Sequence, residues 1–266
     1  MLRVLVLLSA GRHPASGRTR RAGRDARALE MALSLPGPVD ILAVHAGSPD
    51  EPALRDYLGM GLEALTVLDL PPGADPVPPL ASFAQQAAPQ IVLAGSQAEA
   101  GEDSGMVPYL IAEALGATTV RDVTGLDVTG LDVTGAGNDA PHARLVQALP
   151  RGRRQETVCP LPVVAGVSLS APPPRAPAFV RARAGRIYVQ AARQVADDFL
   201  AACEIRPYRR RAMQPLPSGS ARDRLKAATE AQAGEGRALQ NLSPEAAAME
   251  IRDYLVARGL LRPPQA

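Results

Sequence analysis

Residues 90–116, QIVLAGSQAEAGEDSGMVPYLIAEALG, set the tightest limit on what this chain can fold into. Ile91-Val92-Leu93-Ala94 is a continuous apolar run, long enough for a strand buried on both faces and too short for a helix. Gly95 ends it. From Ser104 onward Met106, Tyr109, Leu110, Ala112, Ala114 and Leu115 fall mainly on one side of a 3.6-residue period, and Gly116 stands where a C-terminal glycine belongs. A helix is therefore predicted from near Ser104, with Ser104 as its N-cap. The loop Ser96–Asp103 then lies at the carboxyl end of a strand and the amino end of a helix. Open α/β sheets collect ligands there, and unpaired helix N–H groups favour an anion. The loop has no GxGxxG and no P-loop lysine, so it carries neither a dinucleotide fingerprint nor a Walker motif. Asp103-Ser104-Gly105 resembles the neighbourhood of a serine nucleophile, but His13, His45 and His142, the only histidines, sit in no triad context.

Strands and helices alternate ahead of this stretch. Leu2–Leu8 reads as a first strand, and Arg12–Arg21, basic and broken by Pro14 and Gly17, as a mobile excursion rather than an element. Ala26–Leu35 follows as a helix with Asp25 in its first turn and Pro36-Gly37 as its stop. Val39–Val44 is a strand, Asp50–Leu58 a short helix, Ala64–Leu70 a strand, Pro71–Pro79 a proline-rich link and Leu80–Ala88 a helix. This alternation predicts an α/β fold: a doubly wound, mostly parallel, Rossmann-like sheet with helices on both faces. After Gly116 a five-residue unit, Asp-Val-Thr-Gly-Leu, recurs at Asp122, Asp127 and, in part, Asp132. It predicts a β-hairpin insertion, with Leu145–Leu149 and Gln155–Cys159 as partner strands turning at residues 151–154. Pro162–Leu169 returns to the main sheet.

Past Ser170 the character changes. Residues 171–177, APPPRAP, form an exposed segment, because proline lacks the backbone donor and fixes φ. Ile187–Cys203 reads as an amphipathic helix, Pro207–Gly219 as a basic tether and Ala221–Ala231 as another helix. Ser243 caps a last one, with Pro244 at its first position and Gly259 at its close. Two domains are expected: residues 1–185, an α/β nucleotide-binding-like domain, and residues 186–266, a helical arm. Helices on a tether have little core of their own, so the arm is expected to wrap a partner chain.

Composition narrows the function. Aromatics make up only 3% of the 266 residues and Trp is absent, so Ala and Val must do most of the packing. A net charge of +2 argues against nucleic acid as a partner, and Arg206 and Arg209–Arg211 have no aromatic stacking pattern beside them apart from Tyr208. Cys159 and Cys203 form no CxxC and are read as buried thiols. The start MLRVLVLLSAG is too short for a signal-peptide core or a membrane span, so a cytoplasmic setting is expected. Asp50-Glu51 and Glu102-Asp103 lie at predicted helix starts, where carboxylates favour the helix dipole rather than serve as a catalytic pair. His45 follows a strand end, where it either faces a nucleotide or is a plain loop residue.

In order and spacing, the pattern resembles the β subunit of electron transfer flavoprotein over nearly all of Met1–Arg183 and more loosely over the arm. Leu2-Arg3-Val4-Leu5-Val6 is similar to that family's opening strand, and Asp25, Ala28, Glu30 and Ala32 match its first helix. Leu54-Arg55 with residues 58–64, LGMGLEA, resembles its Leu-Arg-x-x-Leu-Ala-Met-Gly-Ala-Asp run. Leu93-Ala94-Gly95-Ser96-Gln97-Ala98 is similar to Leu-Leu-Gly-Lys-Gln-Ala, and Leu161-Pro162-Val163-Val164 to Leu-Pro-Ala-Val-Val. The resemblance implies an adenine-nucleotide-binding type of sheet and a heterodimer whose α subunit holds most of an FAD that this chain helps enclose. Electrons would pass from flavin dehydrogenases to a quinone oxidoreductase or similar acceptor, with no catalytic residue from this chain. Most members also bind a structural AMP in the β subunit, and electron-bifurcating members place a second FAD there. The cofactor contacts it implies fall on Leu7, Ala22, Gly23, Arg24, Asp25, Ala46, Gly95, Gln97, Asp103, Ser104, Gly105, Met106 and Val107. Docking of a dehydrogenase falls on Ala176, Pro177 and Phe179.

The sequence also departs from that family. An acidic run followed by Asn-Gln-Thr is replaced by Glu102-Asp103-Ser104 followed by Gly105-Met106-Val107, which removes polar donors to a phosphate. The Asn-Pro before the first helix has become Ala22-Gly23, the lysine after the first strand Ser9, and the glycine pair of a signature hairpin Gly152-Arg153. Arg24 or Arg12 could replace a lost cation. Ala176 stands where a leucine anchor precedes the docking proline, leaving Phe179 as the substitute. A universal-stress-type module is the alternative reading, against which stand the absent glycine-rich phosphate loop and the long C-terminal arm. An ATP-pyrophosphatase would need a Ser-Gly-Gly-x-Asp-Ser loop, of which Ser9-Ala10-Gly11 offers a fragment.

Overall fold

The computed structural model describes residues 1–13, 15–100, 103–129, 141–193, 195–196, 202–203, 220–222, 242–257 and 260–261. They fall in two units, Met1–Ile205 and Arg206–Ala266. In the first unit β1 (Leu2–Leu8) is followed by β2 (Ala10–Arg12), β3 (Thr19–Arg21), α1 (Gly23–Leu33), β4 (Val39–Gly47), α2 (Ala53–Gly59) and β5 (Ala64–Asp69). Then come α3 (Val77–Ala87), β6 (Ile91–Gly95), α4 (Val107–Leu115), β7 (Thr118–Thr129), β8 (His142–Ala148), β9 (Arg154–Pro160), β10 (Val163–Val167), α5 (Phe179–Ala184) and β11 (Arg186–Ala191).

All but β2 and β3 join a nine-stranded sheet in the order β11-β5-β4-β1-β6-β10-β7-β8-β9. The strands from β11 to β7 run parallel, and β8 and β9 complete an antiparallel meander. The central strands β1, β6 and β10 are buried on both faces, which is why they read as nearly unbroken apolar runs. Along β1 the pleat sends Val4, Val6 and Leu8 into a core layer with Ala28 and Leu29 of α1 and Leu54, Tyr57 and Leu58 of α2. Leu5 and Leu7 point into the opposite layer, with Leu80 and Ala84 of α3 and Ile111 and Ala112 of α4. The chain first builds outward from β1 through β4 and β5, then crosses over to β6 on the other side. The topological switch lies between β1 and β6, where such sheets open a crevice at their carboxyl ends.

The doubly wound fold and the β8–β9 hairpin appear where the sequence places them, and the repeat forms the long β7. The unit at Asp132 lies outside the described residues, as do the tether Pro207–Gly219 and most of the Ala221–Ala231 helix. Arg12–Arg21 is not an excursion: β2 and β3 pair as a hairpin in which Gly17, at φ 66°, donates to His13 O at 2.8 Å. The helix predicted to start near Ser104 starts at Val107, with Met106 at the N-cap position and no side-chain cap; Ser104 Oγ accepts only a 3.4 Å bond from Met106 N. Pro108 at the start of α4, and Pro78 and Pro79 in the first turn of α3, occupy positions whose N–H would be unsatisfied anyway.

Ile187–Cys203 is not helical at its start: Arg186–Ala191 forms β11 and pairs in parallel with β5, so the strand joins the sheet rather than an arm. A β-branched and aromatic run beside an unpaired strand edge gains a ladder of backbone bonds that a solvated helix turn does not. Cys159 is buried as expected, whereas Cys203 is exposed. In the second unit α6 (Pro244–Ala257) starts as predicted, with Ser243 Oγ accepting from Ala246 N at 3.2 Å.

The segment before α5 is clamped. Arg175 forms a two-pronged pair with Glu30, Nε to Oε2 at 2.8 Å and Nη2 to Oε1 at 2.8 Å, which holds the Glu30 carboxyl below its usual range. Ala178 N donates to Gly59 O at 2.9 Å. A side chain on Gly59 would bring its Cβ to 2.8 Å from Pro177 Cβ. Gly59→Ala is therefore expected to lower stability by about 1–3 kcal/mol through overpacking, read by urea or thermal unfolding. An unchanged midpoint would show that the segment rests loosely.

Candidate functional site

The switch point is closed by a carboxylate. α1 begins at Gly23 directly after the β2–β3 hairpin, which puts Asp25, in its first turn, between the ends of β1 and β6. Its Oδ2 accepts from Ser9 N at 2.7 Å and Ser9 Oγ at 2.5 Å, and its Oδ1 accepts from Gly95 N at 2.9 Å. Gly95 is required by close approach, since a Cβ there would collide with Asp25 Oδ1 and lie 2.8 Å from Arg24 Cβ. Tyr57 adds a second tie: its fully buried hydroxyl accepts from Ala22 N at 2.8 Å and donates to Ser9 O at 2.8 Å. Burial pushes the phenol well above its ordinary range.

Glu99, from the loop after β6, reaches across to the same place. Its Oε1 accepts from Gly23 N at 2.6 Å and its Oε2 from Arg20 Nη2 at 2.9 Å. His45 stands beside this network at the end of β4. Its Nδ1–H donates to Leu8 O at 2.9 Å, which leaves Nε2 without a proton on the side of Gly47. Burial lowers its pKa and keeps the ring neutral.

A separate open cleft of about 360 Å³ lies beyond the carboxyl ends of β6 and β10, against β7. Arg24, Ser96, Gln97, Ser104, Gly105, Met106, Tyr109, Arg121, Asp122 and Gly166 line it. Gly105, at φ 70°, packs so closely on the Ser96 carbonyl that a Cβ would lie 2.8 Å from it. Gln97 Nε2 donates to Asp103 O at 3.2 Å, and Arg121 pairs with Asp122 at 2.8 Å.

The residues singled out in the sequence thus divide. Arg24, Gln97, Ser104, Gly105 and Met106 meet on the cleft, with Asp103 at its rim and Val107 opening α4 behind it. Ala22, Gly23, Asp25 and Gly95 belong to the closed switch point. Leu7 is buried in the core layer with Leu80 and Ile111, and Ala46 is packed against the same layer, so neither lines the cleft. Sequence reasoning missed Glu99, Tyr57 and Ser9 as a connected network, and Arg121 on the cleft. A tyrosine in the apolar face of α2 was the visible sign that a buried hydroxyl needed partners. Among the described residues no cluster of His, Cys, Asp and Glu could hold a metal ion, and no helix is long and apolar enough to cross a membrane.

A doubly wound sheet whose switch point and adjoining cleft collect polar groups from several loops defines an α/β protein of the Rossmann-like class. Comparison with known proteins narrows this. The electron transfer flavoprotein domain model matches residues 22–195. The curated electron transfer flavoprotein subunit beta of Chromohalobacter salexigens is 39% identical over 267 residues, spanning 98% of this chain and 96% of that protein. The chain belongs to the electron transfer flavoprotein family, as a β-type subunit with a part in electron transfer.

Burial dominates the electrostatics of the switch point. It pushes Asp25 up from 3.8 to about 6 against the bonds from Ser9 and Gly95, with the negative Glu99 adding to the rise. A folded value above the unfolded one means that the Asp25 contribution is fully present below about pH 4 and is lost as the pH rises through about 6. The unfolding free energy of the wild type minus that of Asp25→Asn is therefore expected to fall between pH 4 and about 6 and to level off above. Glu30 and His45 are common to both proteins and cancel. A difference that does not change with pH contradicts a buried, titrating Asp25.

Proposed function

We propose that this chain is the β half of a heterodimer that carries electrons from flavin dehydrogenases to a quinone-linked acceptor, around an FAD held mainly by the α subunit. The observation that carries this reading is that the match with a β subunit spans 98% of this chain, C-terminal region included. The cleft supports it. At about 360 Å³ it stands at the low end of the roughly 300–1,000 Å³ usual for small-molecule pockets. It suits one wall of a shared cofactor site better than a complete one. The flavin supplies the redox chemistry when bound. On this chain's side Arg24 offers a cation, Ser104 a hydroxyl and the 40% exposed Tyr109 a ring face along the cleft.

Two further surfaces fit the same reading. On α6, Met249, Ile251 and Tyr254 are 55%, 62% and 53% exposed, apolar area suited to being covered by the α subunit. The Ala176-Pro177 segment is fixed at its base by Gly59 and presents Phe179, 79% exposed, and Val180, 77% exposed. Phe179 is the anchor we assign to the dehydrogenase, with Arg181 and Arg183 flanking it.

The residues present do not fit the AMP of the wider family. The N–H groups of Gly23 and Gly95 and the hydroxyl of Ser9 already donate to Glu99 and Asp25, and Met106 replaces a polar donor in the loop.

Expressed together with its α subunit, the chain is expected to purify as a yellow heterodimer with a flavin absorbance spectrum; a colourless, self-sufficient monomer overturns the reading. Phe179→Ala should raise the apparent KM for this complex in a dehydrogenase assay about tenfold or more, at unchanged thermal stability, because a few side chains carry most docking energy. Unchanged kinetics would remove Phe179 as the anchor.

A further inference from the structure

We propose that the Glu99 carboxylate is the resident anion of the switch-point crevice, filling from within the place a nucleotide phosphate would take, so that the assembled heterodimer carries no nucleotide in this subunit. The inference rests on the β-subunit reading, but its own grounds are geometric. α1 is 11 residues long, and its N-cap residue, Ala22, has no side chain that could cap it. Such an end presents unpaired N–H groups and a partial positive charge, the condition under which an external anion is held. Here Gly23 N already donates to Glu99 Oε1 at 2.6 Å. The other carboxylate oxygen is neutralised by Arg20 at 2.9 Å, and the Glu99 side chain is only 16% exposed.

The surroundings are shaped to receive this side chain. A Cβ on Gly11 would strike Glu99 Oε2, and one on Gly23 would lie 2.9 Å from Oε1. Two glycines, one on β2 and one opening α1, therefore leave room for the carboxylate and for little else. Beneath it Asp25 takes the remaining inward donors, Ser9 N, Ser9 Oγ and Gly95 N. A phosphate entering the crevice would find Gly23 N, Ser9 N, Ser9 Oγ and Gly95 N already donating and would face two carboxyl groups. To displace Glu99 it would have to break the bonds of Glu99 to Gly23 N and to Arg20, of which only the carboxylate side is largely buried. It would also compete with a tethered carboxylate whose effective concentration is on the order of millimolar or above.

The test uses the intact heterodimer. Acid-released nucleotides from the wild-type complex, separated and weighed by mass spectrometry, should give about one FAD and less than about a tenth of an AMP per heterodimer. AMP near one equivalent overturns the proposal. Missing FAD would instead strike at the electron-carrier assignment, so the two failures are distinguishable in one sample. Calorimetric titration of the complex with AMP is the second arm: Glu99→Ala should gain affinity about tenfold or more over the wild type. Equal affinity of both for AMP overturns Glu99 as the occupant. Should that variant not assemble, Glu99→Gln, which keeps the size and an acceptor for Gly23 N but drops the charge, is titrated in its place. A gain in AMP affinity supports the proposal and no gain overturns it.

Discussion

One carboxylate ties the two halves of the sheet together at the switch point. Asp25 joins the end of β1, through Ser9, to the end of β6, through Gly95, at the place where the chain changes direction and adjacent connections part. A buried carboxyl without partners is expensive, and its rise to about 6 records that desolvation outweighs the bonds it accepts. Those bonds nonetheless dictate the residues around it. Position 9 must offer an N–H and a hydroxyl, position 95 must lack a side chain, and position 22 must donate to Tyr57 in turn. Tyr57 then fixes α2 to the same junction, so a helix and two strands far apart in sequence are located by one cluster of polar atoms.

Packing around that junction is done by small residues. Ala26, Ala28 and Ala32 are buried along α1 and Ala22 at its N-cap, and β1, β6 and β10 pack with Val, Leu, Ile and Ala and no aromatic. Small side chains let a helix lie close on the sheet, which brings the start of α1 near enough for Asp25 and Glu99 to reach backbone donors on both sides of it. Tyr57 is the exception in size, and its placement is set by its polar tip as much as by its volume. The low aromatic content and the closed switch point are thus two sides of one packing solution.

Much of this could be read in the chain. Strands buried on both faces leave apolar runs, so Leu2–Leu8, Ile91–Gly95 and Val163–Val167 were legible, as were Gly116 at the end of α4 and Ser243 at the start of α6. Elements fixed by backbone pairing rather than by burial were not. β2 and β3 are three residues each and rich in arginine, so no hydrophobic period marks them. β11 exposes Tyr188 and Val189, and its pattern fitted a helix until β5 supplied a partner. At the site, Asp25 was visible as a first-turn carboxylate, but its partner Gly95 lies 70 residues away, and Glu99 lies 76 residues from the amide it caps. Nothing local in a sequence encodes such bonds. The departure at Ala22-Gly23 was the nearest hint, because a helix start without a capping side chain requires a donor's partner from elsewhere.

The two concave regions at the carboxyl ends of the strands therefore differ in kind. The crevice at the switch point, where the fold alone would place a ligand, is stitched shut by Asp25, Tyr57 and Glu99. The cleft one strand farther along stays open, with Arg24 on its wall and Tyr109 partly exposed. Arg24 and Asp25 are consecutive on α1, so the turn of helix that seals the crevice also delivers a guanidinium to the cleft. A helix end tied down on one side presents a cation on the other at less entropic cost than a free loop would. On the reading proposed above, with the FAD held mainly by the α subunit, such a wall matters more than a pocket of this chain's own.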